Sequence, residues 1–359
     1  MKKKVLLGMS GGVDSSVAAI LLMEKGYDVT GVTLKLRPDD DYKDKHCETK
    51  KSCCSIEDIY DARRVAYKLG IDHIVMNFTE IFKSRVIDKF VNEYINGRTP
   101  NPCIDCNRYI KFEAMLVRAY ELGFDYIATG HYANIEYSEN LKRYLLKRSK
   151  SSKDQSYVLY NLTQHQLAHT LFPLGNAEKN NIREIADKYG LCVASKPDSQ
   201  EICFIPDNKY AGFITNYTKK VFPPGNFVDL DGNILGLHKG IINYTLGQRR
   251  GLGIALGKHM YVTKINPKEN TVTLCDEEHR YTDKLTLEKI NLISIDSLNT
   301  SLRAQVKIRS NANPVPALLV PSAGGQVTVL FDEKQRLTAP GQSVVFYDED
   351  TVIGGGLVV

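Results

Sequence analysis

A chain of 359 residues is long enough for two or three domains, each with a core of its own. At 43% hydrophobic and 25% charged residues, with no apolar run of bilayer length, it reads as a soluble protein and not as one built of membrane-spanning helices. The formal charge of +5 is uneven: residues 208–282 carry ten Lys/Arg against six Asp/Glu and 283–359 seven against eight, an excess that permits a polyanionic partner without requiring one.

The opening "MKKKVLLGMSGG" has a basic head like that of a signal peptide. Its apolar stretch stops after Val5, Leu6 and Leu7, too short for an export signal, so a buried first strand is expected, and a cytoplasmic, reducing location with it. Next comes "DSSVAAILLMEKG", a helix closed by Gly26. "DVTGVTLKL" reads as a second strand, "IEDIYDARRVAYKLG" as a second helix, and "DHIVMNF" as a third strand before a long helical stretch through "VNEYING". "KFEAMLVRAYELG" is a further helix and "FDYIATGHY" a strand running into a polar loop. Strands alternating with helices imply a parallel sheet covered on both faces.

After about residue 205 the texture changes to short β-branched or aromatic runs, such as "MYVTKI", "TVTLC", "AQVKIRS" and "SVVFYDE", divided by Gly, Pro, Asn and Asp turns. The expected organisation is an α/β catalytic domain over 1–207, a small β-rich domain over 208–282, and a β-barrel over 283–359.

The strongest local signal is Gly8-Met9-Ser10-Gly11-Gly12-Val13-Asp14-Ser15, between the first strand and the first helix. Gly11 and Gly12 let the backbone approach an anion, Ser10 and Ser15 add hydroxyl donors, and the helix start adds unpaired N–H groups. No GK[ST] follows, so this is not a Walker loop. It is a pyrophosphate cradle at the carboxyl edge of a parallel sheet.

Eight cysteines in a chain of this length and compartment suggest catalysis or metal binding and not a disulfide scaffold. Cys192 and Cys275, each alone in apolar surroundings, are expected in the core. "NPCIDCN" at 101–107 places Cys103 and Cys106 two residues apart, which by spacing alone fits a zinc clip, a thioredoxin-like redox couple, a cluster seat or a nucleophile with a neighbour. Zinc would need two more ligands, and Cys47, Cys53 and Cys54 with His46 form the other tight cluster. A second region, "SKPDSQEICFIP", carries Cys203 in a polar, turn-rich loop.

Taken with "GMSGGVDSS", "TGHYA", "KDQSYVLY", "LGQRRGLGI" and "APGQSVVFY", these stretches resemble the tRNA-specific 2-thiouridylase (MnmA/TrmU) family of the PP-loop ATP pyrophosphatases, from the first strand to the last lines of the chain. The resemblance implies a sulfurtransferase that uses ATP with Mg2+ to adenylate the 2-oxygen of the wobble uridine of tRNA. Sulfur from a cysteine persulfide replaces that oxygen, and AMP and pyrophosphate leave. Cys203 matches the persulfide carrier and Cys106 its thiol partner, which releases the sulfur or forms a disulfide as it leaves. Gly8 to Ser15, Leu34 and Gly130 match the nucleotide site. Asn101, Pro102 and Cys103 match the segment at the target base, and His131, Lys153, Asp154, Gln155, Arg309 and Gln342 match tRNA contacts. Family members often carry an aspartate where this chain has Cys103, and an aromatic residue where it has Ser310. The extra thiol admits a second mechanism in which Cys103, Cys106 and Cys203 ligate a [4Fe-4S] cluster. The partners implied are tRNA and a persulfide donor such as a cysteine desulfurase or a sulfur relay protein, with no membrane. Rival readings are a different PP-loop enzyme that amidates a small metabolite, and a tRNA-binding module without catalysis.

The basic run Lys142, Arg143, Lys147, Arg148, Lys150 and Lys153 is a solvated face or a phosphate track, and Arg249 and Arg250 are further phosphate ligands by type.

Overall fold

The computed structural model describes residues 1–38, 56–197, 202–205 and 209–359. The chain divides into two compact units. One comprises 1–87, 102–208 and 350–352, and the other 88–101, 209–349 and 353–359.

In the first unit, β1 (Lys4–Gly8), β2 (Asp28–Lys35), β3 (Asp72–Asn77) and β4 (Tyr126–Ala128) are parallel. An antiparallel hairpin of β5 (Ala133–Ser138) and β6 (Arg143–Arg148) follows, and β7 (Thr170–Leu171) joins the parallel sheet beside β4. The sheet order β3-β2-β1-β4-β7 reverses direction at β1. The loop leaving β1 therefore opens at the switch point where open α/β sheets bind ligands.

Val5, Leu6 and Leu7 are fully buried because β1 is central and covered on both faces, which is why the strand reads as an unbroken apolar run. The helix Val13–Glu24 buries Val17, Ala18, Ala19, Ile20 and Leu22 in the same core. Gly26 (φ 84°) and Gly70 (φ 69°) end the first two helices in the left-handed conformation, as expected from their positions.

The expected helix at "KFEAMLVRAYELG" starts nine residues early. An α-turn at Pro102–Asp105 runs into a π-helical segment, Cys106–Ala114, and then into the helix Met115–Glu121. Proline at the first position of a helix surrenders an N–H that has no partner there in any case. Cys103 and Cys106 consequently ride on helical turns, not on a loop. The stretch before it is similarly interrupted, with α-turns at Thr79–Phe82, a π-segment at Lys83–Ile87, and the helix Asp88–Ile95.

In the second unit the helix Tyr210–Thr218 stands where short strands were expected to begin. Its Tyr210 and Phe213 pack on Phe90 and Tyr94 of Asp88–Ile95, a long-range aromatic cluster that overrides local propensity. A small sheet follows, ordered β10-β11-β8-β9, from β8 (Gly225–Val228), β9 (Ile234–His238), β10 (Tyr261–Asn266) and β11 (Thr271–Cys275). The last six strands are β12 (Tyr281–Leu292), β13 (Leu302–Lys307), β14 (Val315–Ser322), β15 (Gln326–Arg336), β16 (Ser343–Asp348) and β17 (Thr351–Val358). They run in the order β12-β15-β14-β13-β16-β17, and pairing of β12 with β17 closes them into a six-stranded barrel around Leu287, Val306, Leu319, Val329, Val344 and Phe346. The fold is thus an α/β parallel-sheet domain followed by two smaller β-rich domains.

Cys275 is buried as expected, but Cys192 is exposed, because Leu191 and Val193 on either side take the core positions. No disulfide forms among Cys103, Cys106, Cys192, Cys203 and Cys275. Cys47, Cys53, Cys54 and His46 lie outside the described residues. Among the described residues no helix is long and apolar enough to cross a membrane.

Candidate active site

Glycine shapes the loop after β1. Gly11 has φ 65°, and a Cβ there would lie 2.8 Å from the Asp58 Cα and 3.0 Å from its carbonyl carbon. Gly130 is required for space alone, since a Cβ would meet the Ser15 nitrogen at 2.9 Å and the Asp14 carbonyl carbon at 3.0 Å. Three of the loop's carbonyl oxygens are taken by donors. Thr33 Oγ1 donates to Met9 O (2.9 Å), Lys196 Nζ to Gly11 O (3.0 Å), and the Ser15 and Ser16 hydroxyls to Gly12 O (3.1 and 2.9 Å). In a trans peptide the carbonyl and the following N–H point opposite ways, so pinning the oxygens of Gly11 and Gly12 turns the Gly12 and Val13 N–H groups to the other side. Gly12 caps the helix without a side-chain bond, which leaves the first-turn amides for an anion.

Charges converge on this loop from distant parts of the chain. Asp14 receives Lys179 Nζ at 2.6 and 2.8 Å and the Tyr132 hydroxyl at 2.6 Å. Lys196 Nζ also donates to Asp58 and Asp61, each at 2.7 Å. Three carboxylates thus face two ammonium groups, one formal negative charge in excess, and a polyphosphate entering here needs an accompanying divalent cation. The donor set suits Mg2+, which takes one or two carboxylates plus substrate phosphate oxygens. Asp14 is the most exposed of the three carboxylates and is the one that would hold it.

The segments that carry Cys203 and Cys106 share one neighbour. Cys203 is half-buried; its carbonyl accepts from Arg37, just past the end of β2, and the next residue, Phe204, packs edge-on against Phe82 with ring centroids 5.8 Å apart. The turn Thr79–Phe82 packs in turn on the π-segment that begins at Cys106, itself half-buried. π-helical turns are rare and recur at functional sites. Beside Cys106, the buried Asn107 donates Nδ2 to Val158 O (3.1 Å), while its Oδ1 is buried with no partner. Among the described residues no three His, Cys, Asp or Glu side chains converge as a metal site. Cys103 is exposed.

Leu34 is half-buried one residue from the end of β2, paired in register with Met76. His131 is buried between the rings of Phe112 (5.7 Å) and Phe172 (5.9 Å), and its Nδ1 shares a 2.6 Å hydrogen bond with Thr129 Oγ1. Burial, helped by the Lys111 charge, holds its imidazole well below the usual 6.5.

Of Lys153, Asp154 and Gln155, only Lys153 is exposed. Asp154 accepts from the backbone of Ser149 and Ser156 (3.0 and 3.2 Å), and Gln155 Oε1 accepts from Tyr132 N (2.9 Å). These bonds link the phosphate loop through Asp14, Tyr132 and Gln155 to the 3-10 turn Ser156–Leu159, on which Asn107 is clamped. The basic run around it is partly neutralised, with Lys142 on Glu139 and Lys147 on Glu136, each at 2.9 Å. In the other unit Arg249, Arg250 and Arg309 are exposed. Gln342 Nε2 donates to Thr99 O (2.7 Å), bracing the stretch that leads to the half-buried Asn101. Pro102 is buried.

Three family descriptions match this chain in succession. A tRNA methyl transferase HUP domain covers 3–207, a tRNA methyl transferase PRC-barrel domain 211–276, and an aminomethyltransferase β-barrel domain 282–358. The tRNA-specific 2-thiouridylase MnmA of Acetivibrio thermocellus is 56% identical over 358 residues, 99% of each chain. The chain belongs to the MnmA/TrmU family. The tRNA-specific 2-thiouridylases MnmA of Clostridioides difficile and Clostridium acetobutylicum are 54% and 53% identical over 359 residues, covering all of this chain and 98% and 100% of theirs. Within this MnmA/TrmU chain, Tyr132, Lys179, Lys196, Asp58, Asp61 and Asn107 escaped the sequence reading. Each acts through a partner 118 to 185 positions away or, for Asn107, 51 away, and no local pattern marks such a pair.

Proposed function

We propose that the Gly8–Ser15 loop, Cys106 and Cys203 carry out the thiolation of tRNA in two stages. As a member of the MnmA/TrmU family the chain is an ATP-dependent tRNA-uridine 2-sulfurtransferase that makes 2-thiouridine, and that membership sets aside the amidating and non-catalytic readings. In the first stage the loop amides hold the phosphates of ATP while the 2-oxygen of the wobble uridine attacks the α-phosphorus and pyrophosphate leaves. In the second, the outer sulfur of a Cys203 persulfide attacks C2 and AMP departs with the oxygen. The Cys106 thiolate then attacks the Cys203 sulfur, a Cys106–Cys203 disulfide forms, and the sulfur stays on the base. A thiol reductant returns both cysteines to the reduced state. Mg2+ would supply charge neutralisation of the phosphates.

The observation that carries this reading is the shared support of the two thiols, with the Phe82-bearing turn packed against both the Cys203 and the Cys106 segments. The functional partition follows the sequence boundaries, with catalysis in 1–207 and RNA contacts added by 208–282 and 283–359. Lys153, Arg309 and, in the target-base segment Asn101-Pro102-Cys103, the exposed Cys103 face the tRNA. Sulfur arrives from a persulfide donor protein in the cytoplasm. Cys106→Ser and Cys203→Ser should each abolish 2-thiouridine formation while leaving tRNA binding and tRNA-dependent pyrophosphate release in place. Near-normal thiolation by either variant removes the two-thiol mechanism.

A further inference from the structure

The side chain of Lys196 has no place in the chemistry described so far, yet it reaches the centre of the phosphate loop. It projects from a turn rooted in the core, where Leu191, Val193 and Ala194 are buried and Lys196 N donates to Val193 O at 3.0 Å. An ammonium group has three N–H donors. Here Nζ has three acceptors, Gly11 O at 3.0 Å and the carboxylates of Asp58 and Asp61 at 2.7 Å each. The side chain is 18% exposed and that of Asp58 6%, so the pair is shielded from competing water. Its ammonium pKa is raised, the two carboxylates outweighing the opposing effect of burial.

We propose that Lys196 is a positioning residue for the phosphate loop, holding the Gly11–Gly12 peptide with its carbonyl turned away from the nucleotide and its N–H turned toward it. Asp58 and Asp61 fix the ammonium in place. The Asp58 backbone also fills the space where a Gly11 Cβ would lie, so the start of the helix Ile56–Leu69 and Lys196 constrain the same peptide from two directions. With all three donors engaged, Lys196 acts on ATP through the loop and not as a phosphate ligand. This inference rests on the reading of Gly8–Ser15 as the ATP site.

The test uses the full chain, with Mg2+-ATP and tRNA as probes. Lys196→Met removes charge and donors, Lys196→Gln keeps one donor for Gly11 O, and Lys196→Arg keeps the charge. The expected result is a KM for ATP raised at least tenfold in Lys196→Met, a smaller rise in Lys196→Gln, recovery toward wild type in Lys196→Arg, and a KM for tRNA within twofold throughout. If Lys196→Met does not fold, Lys196→Gln and Lys196→Arg carry the comparison. An unchanged KM for ATP in Lys196→Gln, or equal losses for ATP and tRNA, overturns the proposal. Failure of the wild-type protein to bind Mg2+-ATP would instead overturn the assignment of the loop.

Discussion

Replacing Gly11 by alanine isolates what the close approach of the loop to Asp58 contributes. Two penalties combine there. At φ 65° an L-residue pays about 1–2 kcal/mol for the left-handed conformation. A Cβ 2.8 Å from the Asp58 Cα and 3.0 Å from its carbonyl carbon meets backbone, which must move, at an overpacking cost of about 1–3 kcal/mol. Gly26 is the internal control, because it has φ 84° and nothing within 4 Å of its Cβ position, so Gly26→Ala measures the conformational penalty alone. Gly11→Ala should therefore lose about 2–5 kcal/mol of stability against about 1–2 kcal/mol for Gly26→Ala. Displacing the Gly11–Gly12 peptide also costs one charge-assisted amide bond to phosphate, about 1.5–3 kcal/mol, or roughly 10- to 100-fold in the Kd for ATP. Thermal unfolding and titration calorimetry with Mg2+-ATP measure the two quantities separately. Equal stability losses in the two variants, with ATP affinity unchanged in Gly11→Ala, would refute the reasoning.

Asn107→Ala removes the clamp on Val158, and thiolation kcat should fall about tenfold, the equivalent of ~1.4 kcal/mol, with tRNA-dependent pyrophosphate release preserved. Rapid-quench separation of the two stages checks it, and parallel losses in both stages would show only general damage. His131 makes stability depend on pH: the unfolded state takes up a proton as pH falls through about 6.5 and the folded state does not, so stability drops below that pH, by up to about 1.4 kcal/mol per unit, and is flat above it as far as this residue is concerned. Melting curves from pH 8 to 5 should show a shallower acid slope for His131→Phe than for wild type. Removing one exposed cation, by Lys153→Ala or Arg309→Ala, should weaken tRNA binding and reduce the magnitude of the log–log salt slope by about one; an unchanged slope would place that side chain off the RNA.

Much of this molecule is written locally. Strand β1 and the helix Val13–Glu24 are legible because apolar runs, a glycine-bounded turn and the Gly26 stop lie within one stretch of chain, and the SGG-x-DS loop marks its chemistry by residue type alone. Barrel strands such as β13 and β16 announce themselves through the β-branched runs "AQVKIRS" and "SVVFYDE" between turns. The helix at Tyr210–Thr218 does not, because aromatic contacts with Phe90 and Tyr94, more than a hundred positions away, decide it. The helical setting of Cys103 and Cys106 was equally hidden: "NPCIDCN" has the composition of a loop, and packing of the π-segment on the Thr79–Phe82 turn makes it helical.

The sequence by itself determined the α/β and β-rich halves, the phosphate loop and the family its motifs resemble, and through that resemblance the candidate thiols, since each motif is a short stretch of adjacent residues. Only the tertiary structure decided how the loop's carbonyls are turned, which acids and lysines surround it, and that Asp154 and Gln155 brace the interior while Lys153 faces solvent. The physical reason is range. A backbone conformation is set by neighbours a few positions away, whereas the hydrogen bonds of Lys196 to Gly11 and of Tyr132 to Asp14 join groups 185 and 118 positions apart that meet only after the sheet has formed.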